Sequence, residues 1–230
     1  MATSAKAGYK TLFMRGNGAT PELFTIMAEV KSIGGPSFSR PTFNVSNMDS
    51  SNWHEFIAGL CDGGEINLDL NLLPADATLT TAAGDLTDTA ATNYIIAFTN
   101  YGDKTDTFAT DYASDDQLDA VGHGLYTGLP TQATSDGSPV DLPAGLAVAT
   151  TYWIHWISAD AITLHTTNAG AVADSGGVEM TDDGTGTHSL NLGTRWILPG
   201  YISGLTPTGP VDDRLAVTIT FKVTGAPTLT

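Results

Sequence analysis

Five histidines, three pairs of adjacent acids and one cysteine are the residues of this chain whose types could do chemistry. Four of the histidines, His123, His155, His165 and His188, fall in its second half. His155 and His165 flank Ser158-Ala159-Asp160-Ala161, a turn between two β-type runs, so a hairpin would bring them near each other. Two imidazoles begin a metal site, but a third ligand in suitable geometry must complete it. No HxxxH or CxxC spacing supplies one. The sequence therefore reads as surface or half-buried histidines in a β module, with no metal and no cofactor expected.

The acid pairs are Asp115-Asp116, Asp182-Asp183 and Asp212-Asp213. Paired carboxylates run glycosidic chemistry when held several ångströms apart across a cleft. Neighbours along a strand point to opposite faces instead, and Asp182-Asp183-Gly184 reads as a plain turn. A hydrolase is thus the weakest reading. No G-x-S-x-G elbow, P-loop or strand-linked G-x-G-x-x-G is present, and no EF-hand spacing. Cys61 is alone, so the fold needs no oxidising compartment. No enzymatic activity is expected.

Charge divides the chain. Between Thr105 and Thr194 there are twelve acidic residues and no Lys or Arg; the flanks hold all nine basic residues against thirteen acidic ones. This marks a guest, residues 109–193, inside a host made of 1–108 and 194–230. A pI near 4.2 argues against nucleic-acid binding through a basic footprint. No apolar run approaches the roughly 20 residues needed to span a bilayer, and the N-terminus lacks an apolar signal core.

The elements that would position these residues are mostly strands. Glu65 to Leu72 alternates without exception, with Ile66, Leu68, Leu70 and Leu72 on one face and Glu65, Asn67, Asp69 and Asn71 on the other. Leu215 to Val223 alternates as strictly. Leu23 to Lys31 reads as a single half-buried strand, and Arg195 to Ile202 and Asn93 to Thr99 as two more. A short strand is expected near Tyr9 to Phe13, within a polar arm. Ile33 to Asn52 reads as a long loop with an extended piece at Pro41 to Val45. Trp53, Phe56, Ile57 and Leu60 have helical spacing, and Pro74 to Thr92 is expected to include a helix. In the guest, Leu129 to Thr134, Thr151 to Ile157, Ile162 to Thr166 and Thr187 to Leu192 are expected strands. The polar face of Glu65 to Asn71 could be an ordinary sandwich surface or the wall of a shared channel.

The host flanks resemble the major tail tube protein of bacteriophages with long, non-contractile tails. The resemblance rests on an ordered set of segments: Phe24 to Pro36, Ser39 to Ser46, the strand from Glu65 followed by Pro74-Ala75-Asp76, then Pro199-Gly200-Tyr201-Ile202-Ser203-Gly204, Asp212-Asp213 and a last strand closing on Val223 to Leu229. The guest is similar to a small β module of phage structural proteins, through Gly122-His123-Gly124-Leu125, Leu142 to Leu146, Thr150 to Trp153 and Gly184 to His188. The resemblance implies a mainly β fold: a tail-tube-type sandwich or barrel with a short flanking helix, plus an inserted small all-β domain. It implies a structural virion protein whose hexameric rings stack into a hollow tube, assembled in the host cytoplasm. DNA would pass through without specific binding, and the guest would decorate the exterior. Partners would be further copies, a tape measure protein and tail terminator or tip proteins, with no membrane. Thr25, Met27, Glu29, Lys31, Glu65, Asn67, Asp69 and Asn71 would face the lumen. The loop carrying Gly34, Gly35, Arg40, Asn44, Asn47 and Asp49 would make contacts between rings. The competing reading is a β-sandwich that binds carbohydrate or a cell surface through Tyr152, Trp153 and the guest histidines.

Overall fold

The computed structural model describes residue 8 and residues 10–73, 77–101, 104–111, 116–136 and 142–230. Most of the expected arm, Tyr9, Pro74 to Asp76 and Asp115 lie outside the described residues. In chain order the elements are β1 (Leu12–Gly16), β2 (Phe24–Ile26), β3 (Val30–Gly34), β4 (Thr42–Asn44), β5 (Phe56–Ala58), β6 (Glu65–Asn71), α1 (Ala77–Asp85) and β7 (Thr92–Ala97). Then come β8 (Lys104–Asp111), β9 (Gln117–Asp119), β10 (Pro130–Ser135), β11 (Tyr152–Trp156), β12 (Ala161–His165), α2 (Asn168–Ala173), β13 (His188–Leu192), β14 (Arg195–Thr208), β15 (Ala216–Val223) and β16 (Thr228–Leu229). The protein is mainly β. No helix among the described residues is long and apolar enough to cross a membrane.

The chain forms two compact units, one from residues 1–27, 93–197 and 229–230, the other from 28–92 and 198–228. The first holds a closed barrel in the order β10-β11-β12-β9-β8-β13, every pair antiparallel. Closure leaves no free strand edge to pair with another chain. Leu118, Leu129, Ala133, Ile154, Ile162, Leu164 and Leu190 fill its interior, all nearly or fully buried. Alternation supplies them: in β13, His188, Leu190 and Leu192 point in while Ser189 and Asn191 point out. The expected guest strands form at β10 to β13, and the expected hairpin turn closes as Ile157 and Ser158 donate to the Ala161 carbonyl at 3.1 and 3.0 Å.

The same unit contains β1, β2 and β7. One side chain explains how β2 is held to the barrel strands. The buried Asn168, first residue of α2, donates from Nδ2 to the Phe24 and Gly128 carbonyls at 3.1 and 3.0 Å and accepts at Oδ1 from the Ile26 amide at 3.3 Å. Gly128 has φ +91°, and a Cβ there would run into the Phe24 carbonyl oxygen. Only glycine permits this approach.

In the second unit β14, β15, β6 and β3 form an antiparallel ladder. Ile66, Leu68 and Leu70 of β6 and Val217, Ile219, Phe221 and Val223 of β15 are buried on one face. Leu79 of α1 lines a small void against Leu70, Val217 and Ile219 on that face. Beside the ladder stands a two-stranded sheet, β4 with β5.

Three expectations need correction. Leu23 to Lys31 is not one strand: β2 ends at Ile26, the chain turns with Glu29 at φ +61°, and β3 starts at Val30. The segment from Asn52 to Leu60 is not a helix; its Phe56–Ala58 portion pairs with β4, because cross-strand hydrogen bonding outcompetes a short helical period. Strand β14 runs six residues past Ile202, absorbing Ser203 at a register shift opposite β15, with Gly204 back in register against Thr220.

Candidate functional site

Two regions carry exposed chemistry. The first is the polar face of the β15-β6-β3 ladder. Its residues stand in register: Thr218 opposite Asp69, Thr220 opposite Asn67 and Lys222 opposite Glu65. Side chains bond across the strands. Asp69 accepts from the Ser32 and Thr218 hydroxyls at 2.8 and 3.0 Å, Asn67 accepts from Thr220 at 3.1 Å, and Asn71 donates to Glu29 at 2.8 Å. The hydrogen bond from Ser32, then that from Thr218, holds the Asp69 carboxyl below its ordinary value. Lys222 is bound to Asp62 at 2.8 Å, and this bond lowers the Asp62 carboxyl in turn.

Of the eight positions expected on one polar face, Glu65, Asn67, Asp69 and Asn71 share it, with Glu29 joined to Asn71. Met27 does not belong: it is 4% exposed, in the core of the first unit, because the turn after β2 breaks the parity that placed it. Thr25 is exposed but stands opposite Arg15 in the β1–β2 hairpin. Lys31 is exposed and falls at a register shift, so Ser32 takes the place beside Asp69 that parity assigned to Lys31. Sequence reasoning missed Ser32 for this reason: a bulge adds one residue and swaps the faces beyond it.

The expected loop residues Gly34, Gly35, Arg40, Asn44, Asn47 and Asp49 are all exposed. Most of that segment is a hairpin. Asn44 accepts from the Ser46 amide and Asn47 from the Asp49 amide, both at 2.8 Å, while Arg40 donates to the Gly59 carbonyl at 2.9 Å. The hairpin is apolar on both faces yet uncovered: Phe43, Phe56 and Ile57 are more than half exposed, Trp53 is 83% exposed and Met48 fully exposed. At its base an open cleft of about 800 Å³ is lined by Phe38, Arg40, Cys61, Asp62, Val223 and Pro227, among others.

The histidines separate into two kinds. His123 is satisfied by backbone at both ring nitrogens, accepting from the Leu125 amide at 2.9 Å and donating to the Ser158 carbonyl at 3.0 Å. His188 donates to the Asp183 carbonyl and stacks on Phe108. His155 and His165 lie side by side with ring centroids 5.8 Å apart, and Asp174 stands 3.7 and 3.8 Å from their Nε2 atoms. This is the third donor the sequence did not reveal. Two of the acid pairs behave as turns: Asp182 accepts from the Ala144 and Gly184 amides, and Asp213 accepts from the Arg214 amide. Tyr152 is buried with its hydroxyl accepting from the Ala147 amide, and Trp153 and Trp156 are half-buried, so no open aromatic platform forms there.

No family profile and no curated protein matches this chain. Among solved structures it is similar to a chain of the virion of a native gene transfer agent particle, at 12% identity and a TM-score of 0.46, covering 98% of this chain and 99% of that one. It is also similar to a chain of the anti-feeding prophage baseplate in a six-fold symmetrised cryo-EM structure, at 8% identity and a TM-score of 0.46, covering 100% and 97%. Both likenesses are loose, and the functional reading rests on the surfaces of the chain itself.

Proposed function

We propose that this chain is a structural, non-enzymatic virion protein, the repeating subunit of a phage tail tube. Six copies close a ring, rings stack, and DNA passes down the lumen without specific binding. In this proposal residues 1–108 and 194–230 build the tube, and the stretch 109–193 decorates its exterior. Assembly takes place in the host cytoplasm, with a tape measure protein and terminator or tip proteins as the other partners.

The observation that carries this reading is the β4–β5 hairpin. A two-stranded hairpin is marginally stable alone in water, and this one exposes Phe43, Trp53, Phe56 and Ile57. Phe43 and Ile57 stand on one face and Phe56 on the other, and large apolar side chains concentrated in the open on one small element mark a protein–protein contact. A second copy of the chain is the occupant we favour, since stacked identical subunits would cover the hairpin on every ring. The polar face of β6 suits a lumen. It presents Glu65 and Asp69, and Lys222 beside them is already paired with Asp62. Such a wall offers passing phosphates little to hold, whereas a basic wall would retain them.

Negative-stain electron microscopy with light scattering on purified protein tests the assembly. Six-fold rings or hollow tubes are expected; a strict monomer at every concentration, also when seeded with tube fragments, overturns the reading. Asn67→Cys in a Cys61→Ser background tests the lumen. A bulky thiol reagent should label assembled tubes far more slowly than monomer, and equal rates would remove β6 from the lumen.

A further inference from the structure

Under α2, two histidines aim their Nε2 atoms at one carboxylate. The Nδ1 of His155 lies 2.7 Å from the Ala171 carbonyl and that of His165 lies 3.1 Å from the Ser175 carbonyl. Carbonyl oxygens only accept, so each Nδ1 carries the proton and donates it. In a neutral ring that leaves the lone pair on Nε2. Both Nε2 atoms face Asp174, and the three ligand atoms all lie within 4.8 Å of one another. Three acceptors therefore converge, and among the described residues the Thr163 hydroxyl, 3.2 Å from His165 Nε2, is the side chain placed to offer a proton. Such a cluster calls for a cation at its centre.

The surroundings are those of a metal ligand set. A histidine ligand characteristically donates its other ring N–H to a carbonyl or carboxylate, which fixes the tautomer and the ring plane. Both rings have that partner. His165 is held rigidly, its side chain 2% exposed, while Asp174 is 67% exposed and free to adjust. Asp174 caps α2 in the left-handed region (φ 49°, ψ 53°), with its amide bonded to the carbonyls of Ala171 and Gly170, and this backbone turns its side chain back over the hairpin. Trp153, His155, Thr163 and His165 share the outer parity of β11 and β12, so the site lies outside the barrel wall and not in its apolar interior.

We propose that His155 Nε2, His165 Nε2 and the Asp174 carboxylate bind one divalent transition-metal ion as a clip between α2 and the β11–β12 hairpin, with a water completing the shell. Two imidazoles and one carboxylate favour zinc over the oxygen-seeking magnesium and calcium. A tetrahedral ion with bonds near 2.0–2.1 Å sets its ligands about 3.3 Å apart. The two histidine–aspartate separations of 3.7 and 3.8 Å need to close by a few tenths of an ångström, within reach of an exposed aspartate, and the two Nε2 atoms, which lie within 4.8 Å of each other, must approach as the rings adjust. The Thr163 hydroxyl releases His165 Nε2 as the metal takes its lone pair.

The test uses the full chain without an affinity tag, in a Cys61→Ser background, stripped with chelator. Zinc is titrated by calorimetry, and cobalt(II) by its visible absorption. One equivalent of zinc should bind, cobalt should show the intense visible bands of a four-coordinate N/O site, and zinc at a hundredfold excess over its dissociation constant should raise the melting point by on the order of 5 °C. Asp174→Asn, at an exposed position, should weaken zinc binding at least about a hundredfold, since loss of outer-shell partners alone costs about 10–100-fold. His155→Gln should do the same and serves as the second variant. Absence of stoichiometric binding overturns the proposal, as does zinc affinity unchanged in both variants. A melting point that does not respond to zinc overturns it as well.

Discussion

Removing the side chain of Asn168 should loosen the β1–β2 hairpin from the barrel strands of its unit. Asn168→Ala deletes two donated bonds, to the carbonyls of Phe24 and Gly128, and one accepted bond, from the amide of Ile26. Asn168 is 8% exposed, so water does not readily replace it. A net loss of about 1 kcal/mol per bond gives roughly 3 kcal/mol, and leaving buried backbone groups unpaired pushes the figure upward. At about 2–4 °C per kcal/mol for a chain of this length, the melting point should fall by roughly 6–12 °C. Thermal unfolding followed by tryptophan fluorescence gives the magnitude. Hydrogen exchange gives the location: the Ile26 amide should lose protection while amides of β10 and β13 keep theirs relative to global unfolding. A loss below about 0.5 kcal/mol, the scale of an ordinary surface substitution, or unchanged protection at Ile26, would refute the claim that this side chain joins the hairpin to the barrel strands.

Gly128→Ala should cost at least about 2 kcal/mol, because it combines a left-handed backbone with a Cβ driven into the Phe24 carbonyl; chemical denaturation measures it. Phe43→Ser with Phe56→Ser should leave monomer stability within about 0.5 kcal/mol, since both side chains are exposed, while abolishing assembly in light scattering; tubes that form normally would remove the hairpin from the contact. For Asp69, the folded carboxyl sits below its ordinary 3.8, so its stabilisation is present above that value and lost as pH falls through the lower folded one. Asp69→Asn should flatten the acid limb of the stability curve slightly, because the group is exposed and solvent-screened; a slope equal to that of the parent protein in acid titration would show that its bonds to Ser32 and Thr218 contribute nothing.

Some of this was legible in the residues alone. The alternation of Glu65 to Asn71 and of Ala216 to Val223 placed both faces of the β6–β15 pair correctly, because a strand's side-chain period of two is written locally, while Leu215, expected to face in, is exposed just ahead of the strand. The guest strands and their hairpin turn were legible for the same reason, and Asp182-Asp183 and Asp212-Asp213 behaved as the turns their composition suggested. Where local periods conflicted with pairing, pairing won. Phe56 and Ile57 were spaced for a helix but sit in a strand, and the parity that ran from Phe24 to Lys31 broke at Glu29 and again at the register shift before Ser32.

The site under α2 shows the same boundary most sharply. His155 and His165 could be placed on one hairpin from the turn between them. Asp174 could not, because α2 is six residues long, too short to declare a helical period, and its last turn must fold back over the hairpin before the carboxylate reaches the rings. Asn168 is equally silent in sequence, since its partners lie 40 and more than 140 residues away. What the sequence determined is the direction in which each strand's side chains point. What only the tertiary structure decided is which of those side chains meet, because partners brought together by closing long loops leave no trace in any local pattern.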